Sequence, residues 1–153
     1  MNNNEVELLL VEDDPNDVEL ALIALRKHKL ANKIHVVRDG EEALDFLFAR
    51  GAYAQRSSNG PPKVILLDLK LPKVSGLEVL KMVKSDPRTQ AVPVVVMTSS
   101  REQRDMVEGY RLGVNSYIQK PIDFDQFQTI IKVLGYYWLV VNQSPPPEAF
   151  PAK

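Results

Sequence analysis

Val64-Ile65-Leu66-Leu67-Asp68-Leu69-Lys70-Leu71-Pro72 is the stretch that decides the fold. Four consecutive apolar residues read as a strand buried on both faces, the kind found in a parallel sheet covered by helices. The run delivers one carboxylate, Asp68, at its C-terminal tip, and Pro72 stops the turn that follows. In an open α/β sheet, ligands bind outside the carboxyl ends of the strands, so a carboxylate there faces the ligand crevice.

Working outward, apolar runs alternate with helical patterns. Residues 6–11 form the expected first strand. Asp14 suits an N-cap and Pro15 the first position of a helix that carries Val18, Leu22 and Leu25 at helical spacing. Residues 34–37 are a short second strand, followed by a helix with Ala43, Leu44, Leu47 and Phe48 on one face. Residues 49–63 read as a long polar loop, either a solvated insertion or a functional segment. After the third strand (64–68) come a helix over 76–84, a fourth strand over 92–98 and a helix over 101–112 that Gly113 is placed to close. A fifth strand spans 114–119. The last helix runs from Asp123 to about Leu134, with Phe124, Phe127, Ile130, Ile131 and Leu134 at helical spacing. This alternation predicts an α/β fold, a doubly wound five-stranded parallel sheet.

The composition agrees. The chain has 153 residues, 44% hydrophobic and 25% charged, with a net charge of −1 and no cysteine. One globular domain is expected. The balanced charge gives no field to draw nucleic acid or an anionic membrane, and the missing cysteine excludes disulfides and thiolate chemistry. The N-terminal Met1-Asn2-Asn3-Asn4-Glu5 lacks the regions of a signal peptide, and no apolar run reaches membrane-spanning length. A soluble, cytoplasmic protein is expected.

Compatible chemistry lies at the other strand tips. Glu12 and Asp13 follow the first strand; taken alone they fit plain solvated or capping residues. If the first and third strands are neighbours, these acids meet Asp68, and three carboxylates in one crevice repel unless a cation sits among them. A hard divalent ion, Mg²⁺ (or Mn²⁺), suits an all-oxygen donor set and leaves open positions for a phosphate oxygen. Thr98 ends the fourth strand, as an ordinary strand-end residue or as a donor to a phosphoryl oxygen. Lys120 ends the fifth, as a surface lysine or as a compact positive charge for phosphate. The following Pro121 raises the option of a cis peptide.

This combination resembles the receiver domain of two-component response regulators. The resemblance runs over about 5–134. It rests on Leu10-Val11-Glu12-Asp13-Asp14, on Leu67-Asp68-Leu69-Lys70-Leu71-Pro72 with Gly76, on Met97-Thr98-Ser99, and on Tyr117-Ile118-Gln119-Lys120-Pro121. It implies a flavodoxin-like sheet of order 2-1-3-4-5, with Asp68 as phosphoacceptor. It further implies a metal held by Glu12, Asp13, Asp68 and the backbone carbonyl of Lys70, Lys120 and Thr98 on the phosphoryl group, and Tyr117 turning in concert with Thr98. Many relatives carry Asp where this chain has Glu12, so direct ligation is expected more of Asp13 than of Glu12.

Val11-Glu12-Asp13-Asp14-Pro15-Asn16-Asp17, the 49–63 segment and Gly135-Tyr136-Tyr137-Trp138 look like the small stand-alone regulators of bacterial, especially cyanobacterial, phytochrome kinases. That resemblance implies a sensor histidine kinase as partner, of phytochrome type, and a homodimer. Residues 135–153 form an apolar extension and a Pro-rich tail. The apolar part, with Tyr136, Tyr137 and Trp138, either extends the last helix over its own domain or forms a self-association or partner surface. Membrane contact lacks the usual basic flank. Pro145-Pro146-Pro147 predicts an extended, solvated end. His28 and His35 are expected at solvent-facing or edge positions rather than in a phosphotransfer role. No residues remain after Lys153 for a DNA-binding output domain, so output is expected through a downstream protein or onward phosphotransfer.

Two other classes compete. An Asp-nucleophile phosphohydrolase would place a second acid two residues after the nucleophile; that position is Lys70, so turnover of external substrates is not expected, only slow loss of the protein's own phosphoryl group. A binding module that no longer accepts phosphate would lack some of these side chains, and all are present.

Overall fold

Five parallel strands form one sheet, in the order β2-β1-β3-β4-β5. They are β1 (Leu8–Val11), β2 (Ile34–Val37), β3 (Val64–Leu67), β4 (Val94–Thr98) and β5 (Ser116–Gln119). The helices are α1 (Pro15–Lys27), α2 (Gly40–Leu47), α3 (Gly76–Ser85), α4 (Gln103–Arg111) and α5 (Phe124–Tyr136). This structure, a computed structural model, describes residues 6–29, 33–58, 60–121 and 123–151. Residues 1–5, 30–32, Asn59, Ile122 and the last two residues of the tail lie outside the described residues. The predicted order 2-1-3-4-5 is the one observed, and it puts β1 beside β3, with Val11 paired to Leu67.

The central strands β1, β3 and β4 are buried along their whole length. Alternate side chains therefore build two cores. Leu9, Val11, Ile65, Leu67, Val94 and Val96 meet α2 and α3 through Ala43, Phe46, Val79, Leu80 and Val83. Leu8, Leu10, Leu66, Val95 and Met97 meet α1 and α5 through Val18, Ala21, Leu25, Phe127 and Ile131. Each such side chain contributes roughly 2 kcal/mol of burial. Asp14 caps α1, accepting from the Asn16 and Asp17 N–H groups at 2.8 and 3.4 Å, with Pro15 in the first turn. Gly113, at φ +98°, follows α4 as predicted.

Several expectations are corrected. β4 begins at Val94 rather than 92, because Pro93 has no N–H to give the ladder. α4 begins at Gln103 rather than 101, because Ser100 Oγ accepts from the Glu102 N–H at 3.3 Å and holds the preceding residues in a turn. Phe124 shares the helical spacing of Phe127 and Ile131 but, as the first residue of α5, is 54% exposed. The segment after α2 is exposed over much of its length, but it is not structureless. Gly51–Ser58 forms tight 3₁₀ turns, in which Tyr53 packs edge-on against Phe46 and His35 and donates its hydroxyl to Glu42 Oε2 at 2.6 Å. The Arg56 guanidinium lies 3.5 Å over the Phe46 ring. His35 keeps its predicted edge position but is half-buried, stacked on Phe46 at 4.6 Å.

The apolar part of the tail extends the last helix over its own domain, one of the two expected courses, and the end of the chain departs from expectation. α5 continues into a wider π-helical turn, Tyr137–Val141. Trp138 and Leu139 pack on the α1–α5 core, while Tyr136, Tyr137, Val140 and Val141 stay exposed. Beyond the prolines, Phe150 returns to the other core instead of remaining solvated. Together with Pro61, Pro62, Val92 and Pro145 it borders a groove of about 670 Å³. Among the described residues, no helix is long and apolar enough to cross a membrane, and no peptide bond is cis, Lys120–Pro121 included.

Gly76 sets how closely α3 approaches the Asp68 turn. Its N–H donates to Leu69 O at 2.8 Å, and a Cβ there would lie 2.2 Å from Asp68 O and 2.5 Å from Leu69 Cα. Backbone cannot yield as a side-chain tip does. Gly76→Ala is expected to cost about 3 kcal/mol in urea unfolding; a variant as stable as the parent would contradict this packing.

Candidate functional site

The carboxyl edge of the sheet gathers the predicted side chains. β1 ends in Glu12 and Asp13, and β3 ends in Asp68. Because these strands are hydrogen-bonded neighbours, one carboxylate oxygen from each of Glu12, Asp13 and Asp68 falls within 4.8 Å of the others. Glu12 and Asp68 are buried and Asp13 is exposed. Below them the lining is apolar, with Ala21, Leu66, Met97 and Phe127. The Asp68 carboxylate is steadied from its own turn, where the Lys70 N–H lies 3.4 Å from Oδ1.

Lys120 reaches in from the end of β5. Its Nζ donates to Glu12 Oε1 at 2.6 Å, to Asp17 Oδ2 at 2.8 Å and to Asp68 Oδ2 at 3.2 Å. Its backbone N–H donates to Thr98 O at 2.7 Å. With the peptide to Pro121 trans, its direction is fixed by these carboxylates. Burial works against the ammonium, but the bonds to Asp17 and Glu12 and the Asp68 charge outweigh it and hold its pKa above the ordinary lysine value. The Glu12 carboxyl is pushed up to about 7, first by burial and then by the Asp68 charge, against the lowering pull of Lys120. One cation does not neutralise this cluster.

Thr98 is fully buried at the tip of β4. Its Oγ1 accepts from the Ser100 N–H at 3.2 Å, so the hydroxyl is turned toward its own loop. That loop is pinned further on, where Ser100 Oγ donates to Asp105 Oδ2 at 2.6 Å. Tyr117, on β5, has a buried hydroxyl with no hydrogen-bond partner among the described residues. Burial, then the Asp105 charge, raises its pKa. A buried hydroxyl left unpaired is costly. Its ring lies against α4, where a Cβ on Gly109 would be 3.3 Å away.

The structure therefore brings Glu12, Asp13, Asp68 and Lys120 into contact, with Thr98 at the adjoining strand tip and Tyr117 farther along β5. Asp17 was not among the predicted site residues. As an acid in the first turn of α1 it looks like a partner for the helix dipole, and only the fold shows its carboxylate on Lys120.

The clustered side chains fit Mg²⁺ or Mn²⁺: their donors are all carboxylate oxygens, and excess negative charge already perturbs Glu12. Folded Glu12 holds a proton up to about pH 7 that the unfolded chain loses near its ordinary 4.5. This group's contribution to stability therefore falls as pH rises from 4.5 to 7 in metal-free protein. A cation ligated directly by Glu12 would displace that proton. Mg²⁺ affinity is expected to rise by up to about tenfold per pH unit below 7 and to level off above it. Calorimetric titration of the parent and Glu12→Gln tests this: the variant should give a flat profile, and a flat parent profile would contradict proton displacement.

A doubly wound α/β sheet with a carboxylate–lysine centre at its strand tips is the class that fold and site define. The chain belongs to the response regulator receiver domain family of two-component signalling, whose profile matches residues 8–132. Response regulator Rcp1 of Synechocystis is 36% identical, the alignment covering 86% of this chain and 88% of Rcp1. The crystal structure of its Mn(2+)-bound form superposes with a TM-score of 0.85 at 33% identity, covering 92% and 99% of the two chains. The phosphorylated cyanobacterial phytochrome response regulator RcpA superposes with a TM-score of 0.86 at 39% identity, covering 93% and 99%. The bacteriophytochrome response regulator AtBRR is 52% identical, with a TM-score of 0.71 and coverage of 91% and 99%.

Proposed function

We propose that Asp68 accepts a phosphoryl group from a sensor histidine kinase, and that the modified strand tip switches a protein-interaction surface. The observation that carries this is Lys120 Nζ, bonded at 2.6 to 3.2 Å to Glu12, Asp17 and Asp68 in a crevice where Asp13 joins the acids. An Asp68 carboxylate oxygen attacks phosphorus in line; the P–N bond of the kinase phosphohistidine breaks, and the leaving imidazole nitrogen takes up a proton. Lys120 orients Asp68 and neutralises the transferring oxygens. Glu12, Asp13, Asp68 and the Lys70 carbonyl would hold the divalent cation, with Glu12 acting directly or through water. When bound, that cation supplies charge neutralisation for the phosphoryl oxygens.

The product adds about −1.5 to −2 charges at the tip. Thr98 then leaves the Ser100 N–H for a phosphoryl oxygen, and Tyr117 turns with it. This biases the face formed by α4, β5 and α5 toward its signalling state. Lys70, where a hydrolase would carry its second acid, leaves the acyl phosphate to decay slowly on the protein rather than to turn over external substrates.

A phytochrome-type kinase is the proposed partner, supported by the likeness to RcpA and AtBRR. The receiver unit spans 5–134 and acts in the cytoplasm, and the extension 135–153 serves homodimerisation. Exposure of Tyr136 and Tyr137 at 55% and 47% supports that surface, whereas Trp138 contributes from below by fixing the turn to the core. Downstream, a protein or a phosphotransfer partner receives the signal. Incubation with an autophosphorylated phytochrome kinase tests the proposal. Radiolabel should move to this chain within minutes, only with Mg²⁺ or Mn²⁺, as an alkali-labile acyl phosphate. Metal-independent or alkali-stable labelling would overturn it.

A further inference from the structure

We infer that Asp17 is a positioning residue for this reaction: it holds one N–H of Lys120 in the resting protein and releases it when Asp68 carries a phosphoryl group. The inference rests on Asp68 being the phosphoacceptor. An ammonium has three N–H donors and no acceptor. Glu12, Asp17 and Asp68 use all of them, at 2.6, 2.8 and 3.2 Å. A phosphoryl group brings new acceptor oxygens, so Lys120 reaches one of them only by exchanging a bond it already makes.

Burial decides which bond is exchanged. The side chains of Glu12 and Asp68 are 5% and 6% exposed, and that of Asp17 is 25% exposed. Freeing Glu12 would strand a buried carboxylate, whereas freed Asp17 turns to water at small cost. Asp17 is also anchored independently of Lys120. Its N–H lies 3.4 Å from Asp14 Oδ1, and it sits in the first turn of α1, where the helix dipole favours its charge. Its backbone therefore stays in place while its carboxylate turns to water and Lys120 turns toward the phosphoryl group.

Asp17 opposes the phosphorylated state in two ways. It competes for an N–H of Lys120, and its charge repels the phosphoryl oxygens. Removing that charge lowers the barrier to exchange and the repulsion together, so affinity for a phosphoryl group rises. A residue that merely supports the site would show the opposite sign, because its loss would loosen Lys120 and weaken binding.

Fluoroberyllate, a non-reactive mimic of a phosphoryl group on a carboxylate, is the probe. It is titrated into the full chain at pH 8 and saturating Mg²⁺ and followed by fluorine NMR, with urea unfolding to confirm that each variant is folded. Asp17→Asn should bind roughly fivefold more tightly than the parent, the scale of one partly screened charge. Asp17→Ser should shift the same way, and Asp17→Glu, which restores the charge, should return to within about twofold. Equal or weaker binding by folded Asp17→Asn and Asp17→Ser would overturn the Asp17 assignment alone. Failure of the parent itself to bind fluoroberyllate would overturn the phosphoacceptor assignment beneath it.

Discussion

Asp68→Asn is expected to reduce Mg²⁺-dependent labelling by acetyl phosphate by at least about a thousandfold, as loss of a nucleophile does in covalent catalysis. The amide keeps the shape of the carboxylate but is not nucleophilic. The fold should survive the change. Asp68 is buried beside Glu12, and its charge helps drive the Glu12 carboxyl up to about 7. Removing that charge relieves repulsion, so the metal-free variant should unfold at an equal or higher urea concentration than the parent at pH 8. Lost labelling in a protein of undiminished stability separates a chemical role from a structural one. Labelling equal to that of the parent would show that the acceptor lies elsewhere.

Lys120→Met removes the ammonium that bonds three of the site's carboxylates. Taking one partner from a buried charge pair leaves the other uncompensated, a loss of about 3 kcal/mol or more. Metal-free Lys120→Met should therefore lose about that much stability at pH 8, with labelling reduced by roughly a hundredfold through loss of electrostatic stabilisation. The sign of the pH response follows from Glu12. Without Lys120, its main lowering influence, Glu12 keeps its proton to higher pH, and a protonated Glu12 carries no charge to repel Asp68. The deficit should shrink as pH falls toward 5, and millimolar Mg²⁺ should also restore part of it at pH 8. Equal stability of parent and variant at pH 8 without metal would mean that Lys120 does not compensate the acids. The measurement is urea unfolding across pH with and without Mg²⁺.

How far the sequence discloses the site depends on the kind of interaction. Residues 64–67 announce a buried strand because a parallel sheet buries both faces, and the chemistry at each strand tip then follows from position along the chain. Asp14 and Pro15 are legible for a similar reason: helix capping is local and depends on neighbours in sequence. Asp17 is not legible, because its second role depends on Lys120, which is remote in the chain and close only once β1, β3, β4 and β5 are side by side. For residues 49–63 polarity points to solvent, where much of 50–55 lies, but it does not disclose that Tyr53 and Arg56 bury the apolar parts of amphipathic side chains on Phe46. At the end of the chain three prolines predict extension but do not say that Phe150 finds a core. Tyr117 is legible as a site residue only through the family resemblance; its unpaired hydroxyl is a property of the packed structure.

The central claim is that Asp68, among the clustered carboxylates, forms the acyl phosphate. Borohydride reduction tests it most directly, because it converts a phosphorylated aspartate to homoserine at the residue that carried the phosphoryl group. After Mg²⁺-dependent phosphorylation, reduction and trypsin cleavage, homoserine should appear at position 68 within peptide 64–70, which lies between the cleavage sites at Lys63 and Lys70. Reduction products at Glu12 or Asp13, in peptide 1–26, or an unmodified peptide 64–70 from labelled protein, would contradict the account.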